Sequence, residues 1–334
     1  MSYRQDVIDA LNHKQTELTP WAFELTSEFS ELYRKKYSCQ SVEDDLRSHI
    51  MFGKYKKMEW LNESKYRDIF GVEWQLGDDG GDIGIPVNKP VTAESVEEYI
   101  FPDIDEVLLQ KGLYSMEQDT EHFRMFRFTY ALYERAWALM GMEDMLLNMA
   151  LNVSATMKLF ERIAEYNMTL LDRILTSDFD GVYFGDDYGQ QKGLIMGPDC
   201  WRKFIKPFLK EMFAKVKASG KYILLHSCGD IEDIFPDLIE IGLDAYNTVQ
   251  PEIYDLKKIK REYGKDLAFW GAISTQQFLT ERTAQEVFDK SVETIKVLGQ
   301  DGGYIFSPTH AVTPDIPIEN IRAMLEAVNS VQWK

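Results

Sequence analysis

The chain has 334 residues, of which 45% are hydrophobic and 28% charged, enough for one large barrel or two ordinary domains without a disulfide framework. Its formal net charge of −18 predicts repulsion from nucleic acid and from anionic membranes. The three cysteines are widely spaced, no apolar run is long enough for a transmembrane helix, and the amphipathic N-terminus lacks a signal-peptide core. We therefore expect a cytoplasmic protein.

Short β-branched and aromatic runs alternate along the chain with longer stretches of helical periodicity. The predicted strands are residues 21–25, 126–130, 181–184, 222–225, 245–249, 267–270 and 304–306, and the predicted helices include 153–176, 199–219, 231–241, 284–298 and 317–328. Strands that alternate with helices indicate a parallel sheet. No glycine-rich phosphate loop follows the first strand, so a closed barrel is favoured over a doubly wound open sheet. We predict an α/β protein with a (β/α)8 TIM barrel.

Two N-terminal regions, residues 1–18 and 31–125, do not follow this alternation. They contain helical segments and a predicted hairpin at residues 71–88 that turns at GDDGG. We predict that they form a helical and hairpin extension over one end of the barrel. The extension lies within residues 1–125 of a single domain that spans 1–334.

Polar side chains follow the predicted strands, at the end where the active site of a barrel lies. They are Glu24, Thr26 and Glu28; Glu134; Asp186, Asp187 and Gln190; His226, Cys228 and Asp230; Gln250; Ser274; and Ser307 and His310. Two of the five histidines and one of the three cysteines lie at these ends. This concentration indicates a functional site.

His226 and Cys228 lie two residues apart at the end of a predicted strand, so their side chains point the same way. Imidazole nitrogen and thiolate sulfur both bind zinc, and His310 after the last strand is the candidate third ligand. Three protein ligands would leave the open position of a catalytic zinc. The alternative is a hydrogen-bonded core histidine beside a small apolar cysteine. Asp186 and Asp187 either brace their loop or face the cavity as a metal neighbour or proton carrier.

With these residues in place, the sequence resembles the uroporphyrinogen decarboxylase-like superfamily, which includes haem-pathway decarboxylases and zinc-dependent, corrinoid-linked methyltransferases. The matching segments are residues 180–213, 221–252, 263–287 and 302–328, with weaker matches at 20–25, 66–74 and 126–146. The resemblance implies a (β/α)8 barrel. It departs from the decarboxylases at residues 23–37, where Glu24 and Thr26 replace an arginine-rich motif that binds substrate carboxylates.

The methyltransferases of this superfamily bind zinc through a His-x-Cys pair and a later cysteine. His226 and Cys228 match the pair, whereas His310 stands at the third position. A histidine there also resembles a decarboxylase residue that contacts substrate, so His310 is either a zinc ligand or a substrate-facing group. Glu24 and Glu134 are further candidates for a fourth ligand.

The resemblance implies a zinc-dependent methyltransferase that moves a methyl group between a small methylated compound, for example by O-demethylation, and cobalamin on a corrinoid protein. Asp186, Asp187 and His310 are the expected catalytic residues. Glu24, Tyr188, Gln250 and Trp270 are expected to contact substrate or cofactor, with Trp21 and Tyr183 also near the barrel mouth. The alternatives are a metal-free decarboxylase, or a barrel that binds a ligand without turnover. A homodimer is compatible with the sequence.

Overall fold

The computed structural model describes residues 2–77 and 84–333. Its strands are β1 (Ile50–Lys54), β2 (Met58–Asn62), β3 (Lys65–Asp68), β4 (Glu73–Gln75), β5 (Ile85–Pro86), β6 (Phe123–Thr129), β7 (Gly181–Gly185), β8 (Tyr222–His226), β9 (Ala245–Thr248), β10 (Ala268–Ile273) and β11 (Tyr304–Pro308). Its helices are α1 (Tyr3–Leu11), α2 (Ser27–Tyr37), α3 (Val42–Leu46), α4 (Glu106–Glu117), α5 (Tyr133–Met140), α6 (Met142–Leu151), α7 (Val153–Ile174), α8 (Pro198–Phe204), α9 (Lys206–Ala218), α10 (Phe235–Glu240), α11 (Leu256–Tyr263), α12 (Phe278–Glu281), α13 (Ala284–Leu298) and α14 (Ile318–Ser330). None of the helices in the described ranges is long and apolar enough to cross a membrane.

Seven of the strands form one parallel sheet in the order β1-β6-β7-β8-β9-β10-β11. Helices separate consecutive strands of this sheet along the chain. Parallel neighbours need such crossover connections, because a tight turn can join only antiparallel strands. The predicted α/β class with a parallel sheet is therefore confirmed.

The extended segment at residues 21–25 lies between the two edges of this sheet. Trp21 and Leu25 form isolated parallel bridges with Phe306 and Val312 beside β11. On the other side, the backbone N–H of His49, next to β1, donates to the carbonyl of Trp21 at 2.8 Å. The segment makes two bridges rather than the predicted regular strand, since α2 begins two residues after it. This arrangement is consistent with the predicted barrel.

The strand β1 corrects the prediction for the N-terminal region. It lies within residues 31–125, which the sequence pattern assigned to the extension, yet it pairs in parallel with β6 in the main sheet. Its sequence, IMFGK, has one β-branched residue and no clear alternation. Pairing with β6 and burial decide this strand, because β propensity depends strongly on tertiary context.

A second, antiparallel sheet contains β2, β3, β4 and β5 in that order. The predicted hairpin at residues 71–88 has its two arms in β4 and β5, where Trp74 pairs with Pro86. Residues 78–83, which include most of the predicted GDDGG turn, lie outside the described residues. The Trp74 ring packs edge-on against Tyr130, with ring centroids 5.4 Å apart, so this sheet lies near the carboxyl end of β6.

Alternate residues of the parallel strands meet in one inner core. Its buried members are Val7, Leu11, Ala22, Ile50, Phe123, Met125, Tyr183, Leu224, Ala245, Ala268, Trp270 and Ile305. Every strand of the main sheet contributes to this cluster, so the sheet must curve around it. Val7 and Leu11 come from α1, which therefore packs against the inner core. Functional side chains at the strand ends consequently converge above a shared, packed interior.

Candidate metal centre

His226, Cys228 and His310 converge at the carboxyl ends of the strands. His226 is the last residue of β8, Cys228 follows it by two residues, and His310 follows β11 by two residues. One ligand atom from each side chain lies within 4.8 Å of the others. Cys228 Sγ is 3.5 Å from His226 Nε2. The arrangement is therefore suited to holding a metal ion through one sulfur and two nitrogen donors.

Asn247 on β9 fixes the orientation of the His226 ring. Its Oδ1 lies 2.7 Å from His226 Nδ1. Its Nδ2 donates to the carbonyl of Trp270 at 3.0 Å, which identifies Oδ1 as the acceptor facing the ring. The Tyr183 hydroxyl donates to the same Oδ1 at 2.9 Å. His226 must therefore carry its proton on Nδ1, leaving a lone pair on Nε2 for a metal.

The loops after β7 and β8 touch through two glycines beside the site. A Cβ added to Gly229, whose φ is +82°, would lie 2.2 Å from the carbonyl carbon of Gly189. This close approach allows the Gly189 N–H to donate to the Cys228 carbonyl at 3.1 Å. Gln250 Oε1 accepts the N–H of Gly229 at 2.7 Å. Gln250 thus braces the loop that carries Cys228 rather than presenting its amide oxygen to the cavity.

Three carboxyl groups border the metal centre on one side. Asp187 Oδ1 accepts the backbone N–H of Cys228 at 2.7 Å and lies 3.7 Å from His226 Nε2. Asp186 is fully buried and accepts the N–H groups of Leu132, Tyr133 and Glu134 at 2.7–2.9 Å. These bonds satisfy donors at the start of α5. Asp186 is therefore a helix-positioning group, and it holds Glu134 near Asp187.

Burial and mutual repulsion raise the pKa values of this acidic group. Burial raises the pKa of Asp186 to about 6, although its three backbone donors oppose the shift. Burial, then the charges of Asp187 and Asp186, raise the pKa of Glu134 well above its usual range. Burial therefore favours the protonated form of the Glu134 carboxyl.

The side chains of Cys228 and His310 are both uncharged when no cation is bound. Burial, followed by the charges of Asp187 and Glu134, raises the pKa of the Cys228 thiol far above its usual range. Desolvation, then the proximity of His226, lowers the pKa of His310. His310 is exposed as a residue, but its ring packs edge-on against His226 with centroids 5.6 Å apart. A bound metal would therefore have to displace the thiol proton, while His310 is ready to donate its lone pair.

Aromatic rings pack together next to the metal centre. Trp270 is 1% exposed and stacks on Phe52 with ring centroids 6.2 Å apart, and Tyr183 packs against both rings. The guanidinium of Arg127 lies 4.1 Å from the centre of the Phe52 ring and forms an ion pair with Glu24. Trp270 thus belongs to the packed inner core, and Glu24 is paired with Arg127; their contact with substrate stays a prediction.

Two predicted mouth residues lie elsewhere. Tyr188 is fully buried in the outer core and packs edge-on against Trp201 of α8, with ring centroids 5.9 Å apart. Trp21 is 3% exposed, and its indole N–H donates to the carbonyl of Leu46 at 2.8 Å. Both side chains face the layer between strands and helices, so the structure does not bring them to the metal centre.

Asn247 and Arg127 were not identified from the sequence pattern. Asn247 lies two residues after Ala245 on a predicted strand, so period-two alternation would have placed it in the interior beside His226. Arg127 stands between Phe126 and Phe128, and a cation flanked by apolar residues within a strand is itself a signal. Both residues become functional candidates only once the structure shows that their side chains point into the interior of the sheet.

Comparisons with known proteins agree with this fold. A match to the uroporphyrinogen decarboxylase (URO-D) family model covers residues 68–331. The uroporphyrinogen decarboxylase of Coxiella burnetii is 24% identical over 179 residues, which is 53% of this chain and 47% of the relative. The match thus spans about half the length of that relative.

Two further similarities are to methyltransferases. The methylcobamide:CoM methyltransferase MtaA of Methanosarcina barkeri is 28% identical over 133 residues, covering 40% of this chain and 37% of the relative. The solved structure of a methyltransferase from Methanosarcina mazei has a TM-score of 0.75 at 17% identity, with 99% of both chains covered. Its likeness supports the fold alone. Since the family match covers well over half of the sequence, the chain belongs to the uroporphyrinogen decarboxylase (URO-D) family.

Proposed function

We propose that this protein is a zinc-dependent methyltransferase that moves a methyl group between a small methylated compound and a corrinoid carried by a partner protein. The observation that carries the proposal is the convergence of His226, Cys228 and His310 within 4.8 Å. The names of the Methanosarcina relatives support methyl transfer as the reaction class. We further infer that the segment at residues 21–25 closes the main sheet into an eight-unit barrel.

The donor set fits zinc. Bond lengths of about 2.3 Å to sulfur and about 2.0 Å to nitrogen place two donors of one tetrahedral zinc about 3.5 Å apart. Cys228 Sγ and His226 Nε2 have this separation, at 3.5 Å. His310 would supply the third donor. A zinc ion bound by these residues would serve as a Lewis acid for the heteroatom that loses or gains the methyl group.

The surrounding residues handle orientation and protons. Asn247 holds the His226 tautomer that leaves Nε2 free. A demethylated oxygen needs a proton, and burial favours the protonated form of Glu134 beside Asp187. Asp187 Oδ1 is already bonded to the N–H of Cys228, which keeps this carboxylate at the edge of the site. We propose that Asp187 relays the Glu134 proton to the leaving oxygen.

Metal analysis of the purified protein, combined with a corrinoid methylation assay, tests the proposal. We expect about one zinc per chain, and transfer of methyl from a methoxylated compound to reduced corrinoid, followed by its absorbance change. A protein that holds no metal after purification with added zinc would refute the proposal.

The orienting contact of Asn247 gives a separate prediction. Asn247→Leu removes the acceptor for His226 Nδ1–H and should weaken zinc binding by about 10- to 100-fold. Asn247→Asp keeps an acceptor oxygen and should retain most of the affinity, despite losing the donor to Trp270. Competition with a chromophoric chelator measures both affinities. Equal losses in the two variants would show that the contact with His226 does not matter for the metal.

The raised pKa of Cys228 predicts that zinc binding depends on pH. Because the free thiol is protonated through the neutral range, binding must release about one proton. The affinity should therefore rise about tenfold per pH unit between about pH 6 and 8. Calorimetry in buffers with different ionisation enthalpies counts the protons released. A pH-independent affinity of the unaltered protein would contradict the prediction.

A metal-free decarboxylase is the second candidate, and one observation favours it. Arg127 places a guanidinium inside the barrel mouth, where a substrate carboxylate could bind. In that case His310 and an aspartate would protonate the carbon left by carbon dioxide. Release of carbon dioxide by a protein without metal would support this function over methyl transfer.

A further inference from the structure

Arg127 is a charged residue in the apolar interior of the main sheet. It follows Phe123 and Met125 at intervals of two along β6, and both of those residues belong to the inner core. The Arg127 side chain retains 24% exposure, so the guanidinium lies at the open end of this interior. An interior cation needs compensating partners, because its desolvation is unfavourable.

The partners of Arg127 leave part of its hydrogen-bonding capacity unused. One Nη atom donates to Glu24, while the buried Nε has no hydrogen-bond partner among the described residues. The guanidinium carbon lies over the rings of Phe52 and Tyr183, at 4.1 and 5.4 Å from their centres. These two cation–π contacts restrict the position of the guanidinium, whose planar set of N–H donors matches a planar carboxylate.

The position of Arg127 connects this fork to the metal centre. Tyr183 lies under the guanidinium, and its hydroxyl is 3.1 Å from His226 Nδ1. The charges of Arg127 and Glu24 both act on His310. The carbonyl of Glu24 accepts the N–H of Val312, two residues beyond His310, at 2.9 Å, and the N–H of Thr26 donates to the Val312 carbonyl at 3.0 Å. About one aromatic ring therefore separates the guanidinium from the ligands of the metal.

We propose that Arg127 binds a carboxylate of the methylated substrate, and that Glu24 is the internal counter-ion which gives way to it. This inference rests on the proposed methyltransferase function and narrows its substrates to small methylated carboxylates. The methylated heteroatom would lie near His226, Cys228 and His310, about one ring from the carboxylate. Replacing one carboxylate by another keeps the guanidinium neutralised, so the exchange requires no bare charge in the interior.

Glu24 is suited to such an exchange. Its side chain is 28% exposed, so water can solvate the carboxylate once it leaves Arg127. If the ion pair were purely structural, replacing either partner would lower the stability of the protein. Neither replacement would change whether the protein prefers charged or uncharged ligands. If a substrate carboxylate displaces Glu24, neutralising Arg127 should remove the preference for carboxylates. Neutralising Glu24 should instead strengthen the binding of carboxylates.

Calorimetric titration with matched ligands tests the inference. The probes are methoxyacetate, methoxypropanoate and the methoxybenzoate isomers, each compared with its uncharged primary amide, and tetramethylammonium as a cation. In the unaltered protein, we expect at least one carboxylate to bind about tenfold more tightly than its amide. R127Q should abolish that preference, whereas E24Q should strengthen carboxylate binding by about tenfold or more.

Several outcomes would overturn the inference. These are equal binding of amides and carboxylates, weakening of carboxylate binding in both variants, stronger binding of tetramethylammonium, or no carboxylate bound at millimolar concentration. Thermal unfolding of R127Q and E24Q shows whether each variant is folded. If R127Q fails to fold, E24Q alone still shows whether removing the Glu24 charge strengthens or weakens carboxylate binding. The titrations need neither zinc nor corrinoid, and Cys228→Ala should keep the carboxylate preference. A failed metal analysis and a failed anion test are therefore separate results.

Discussion

Cys228→Ala is expected to reduce the zinc content from about one per chain to below about a tenth. The variant removes the thiolate from a three-residue donor set, and the two remaining imidazoles hold zinc poorly. Methyl transfer should fall by at least about 10³-fold, since the Lewis acid contributes several kcal/mol of transition-state stabilisation. Mass spectrometry of the metal content and the corrinoid absorbance assay measure the two effects.

Two further cysteine variants separate metal binding from packing. Cys228→Ser keeps nearly the same volume but supplies a poor zinc ligand, so it should resemble Cys228→Ala. Cys200→Ala removes a free, half-buried thiol from α8 and should keep both zinc and activity. Full zinc content in Cys228→Ser would show that Cys228 is a packing residue. His226 and Cys228 would then be a hydrogen-bonded core histidine beside a small apolar cysteine.

Gly229→Ala should destabilise the protein by at least about 3 kcal/mol. The new Cβ would meet the Gly189 carbonyl carbon at 2.2 Å and the Gln190 nitrogen at 2.5 Å, both of which are backbone atoms. The residue also has a φ of +82°, which an L side chain rarely adopts. The loops after β7 and β8 would have to separate. Equilibrium unfolding in urea measures the change in the free energy of unfolding.

Gly193→Ala is the matched control for this prediction. Gly193 lies in the same loop region with a φ of +77°, but a Cβ there would meet no atom within 4 Å. This variant should lower the free energy of unfolding by about 1 kcal/mol, because only the backbone conformation is strained. Gly229→Ala should also lower the zinc content, because Cys228 immediately precedes it. Equal losses of stability for the two variants would show that the contact between the loops is not tight.

The local pattern of the sequence was sufficient for much of the fold. Short β-branched and aromatic runs identified β6 through β11 of the main sheet to within a few residues, because each is a short buried run between amphipathic helices. It was insufficient for β1, whose pairing with β6 depends on tertiary context. Tyr188 shows a second limit, since a residue after a strand can turn into the outer core instead of the mouth.

The amino-acid pattern alone predicts that this chain has a parallel α/β fold and that His226 and Cys228 lie on one side of a strand end. Both follow from periodicity, which is a property of neighbouring residues. The folded structure was needed to show that Asn247 sets the His226 tautomer and that Arg127 pairs with Glu24. These contacts join residues far apart along the chain. They depend on strand register and on the curvature of the sheet, which arise when the whole interior packs.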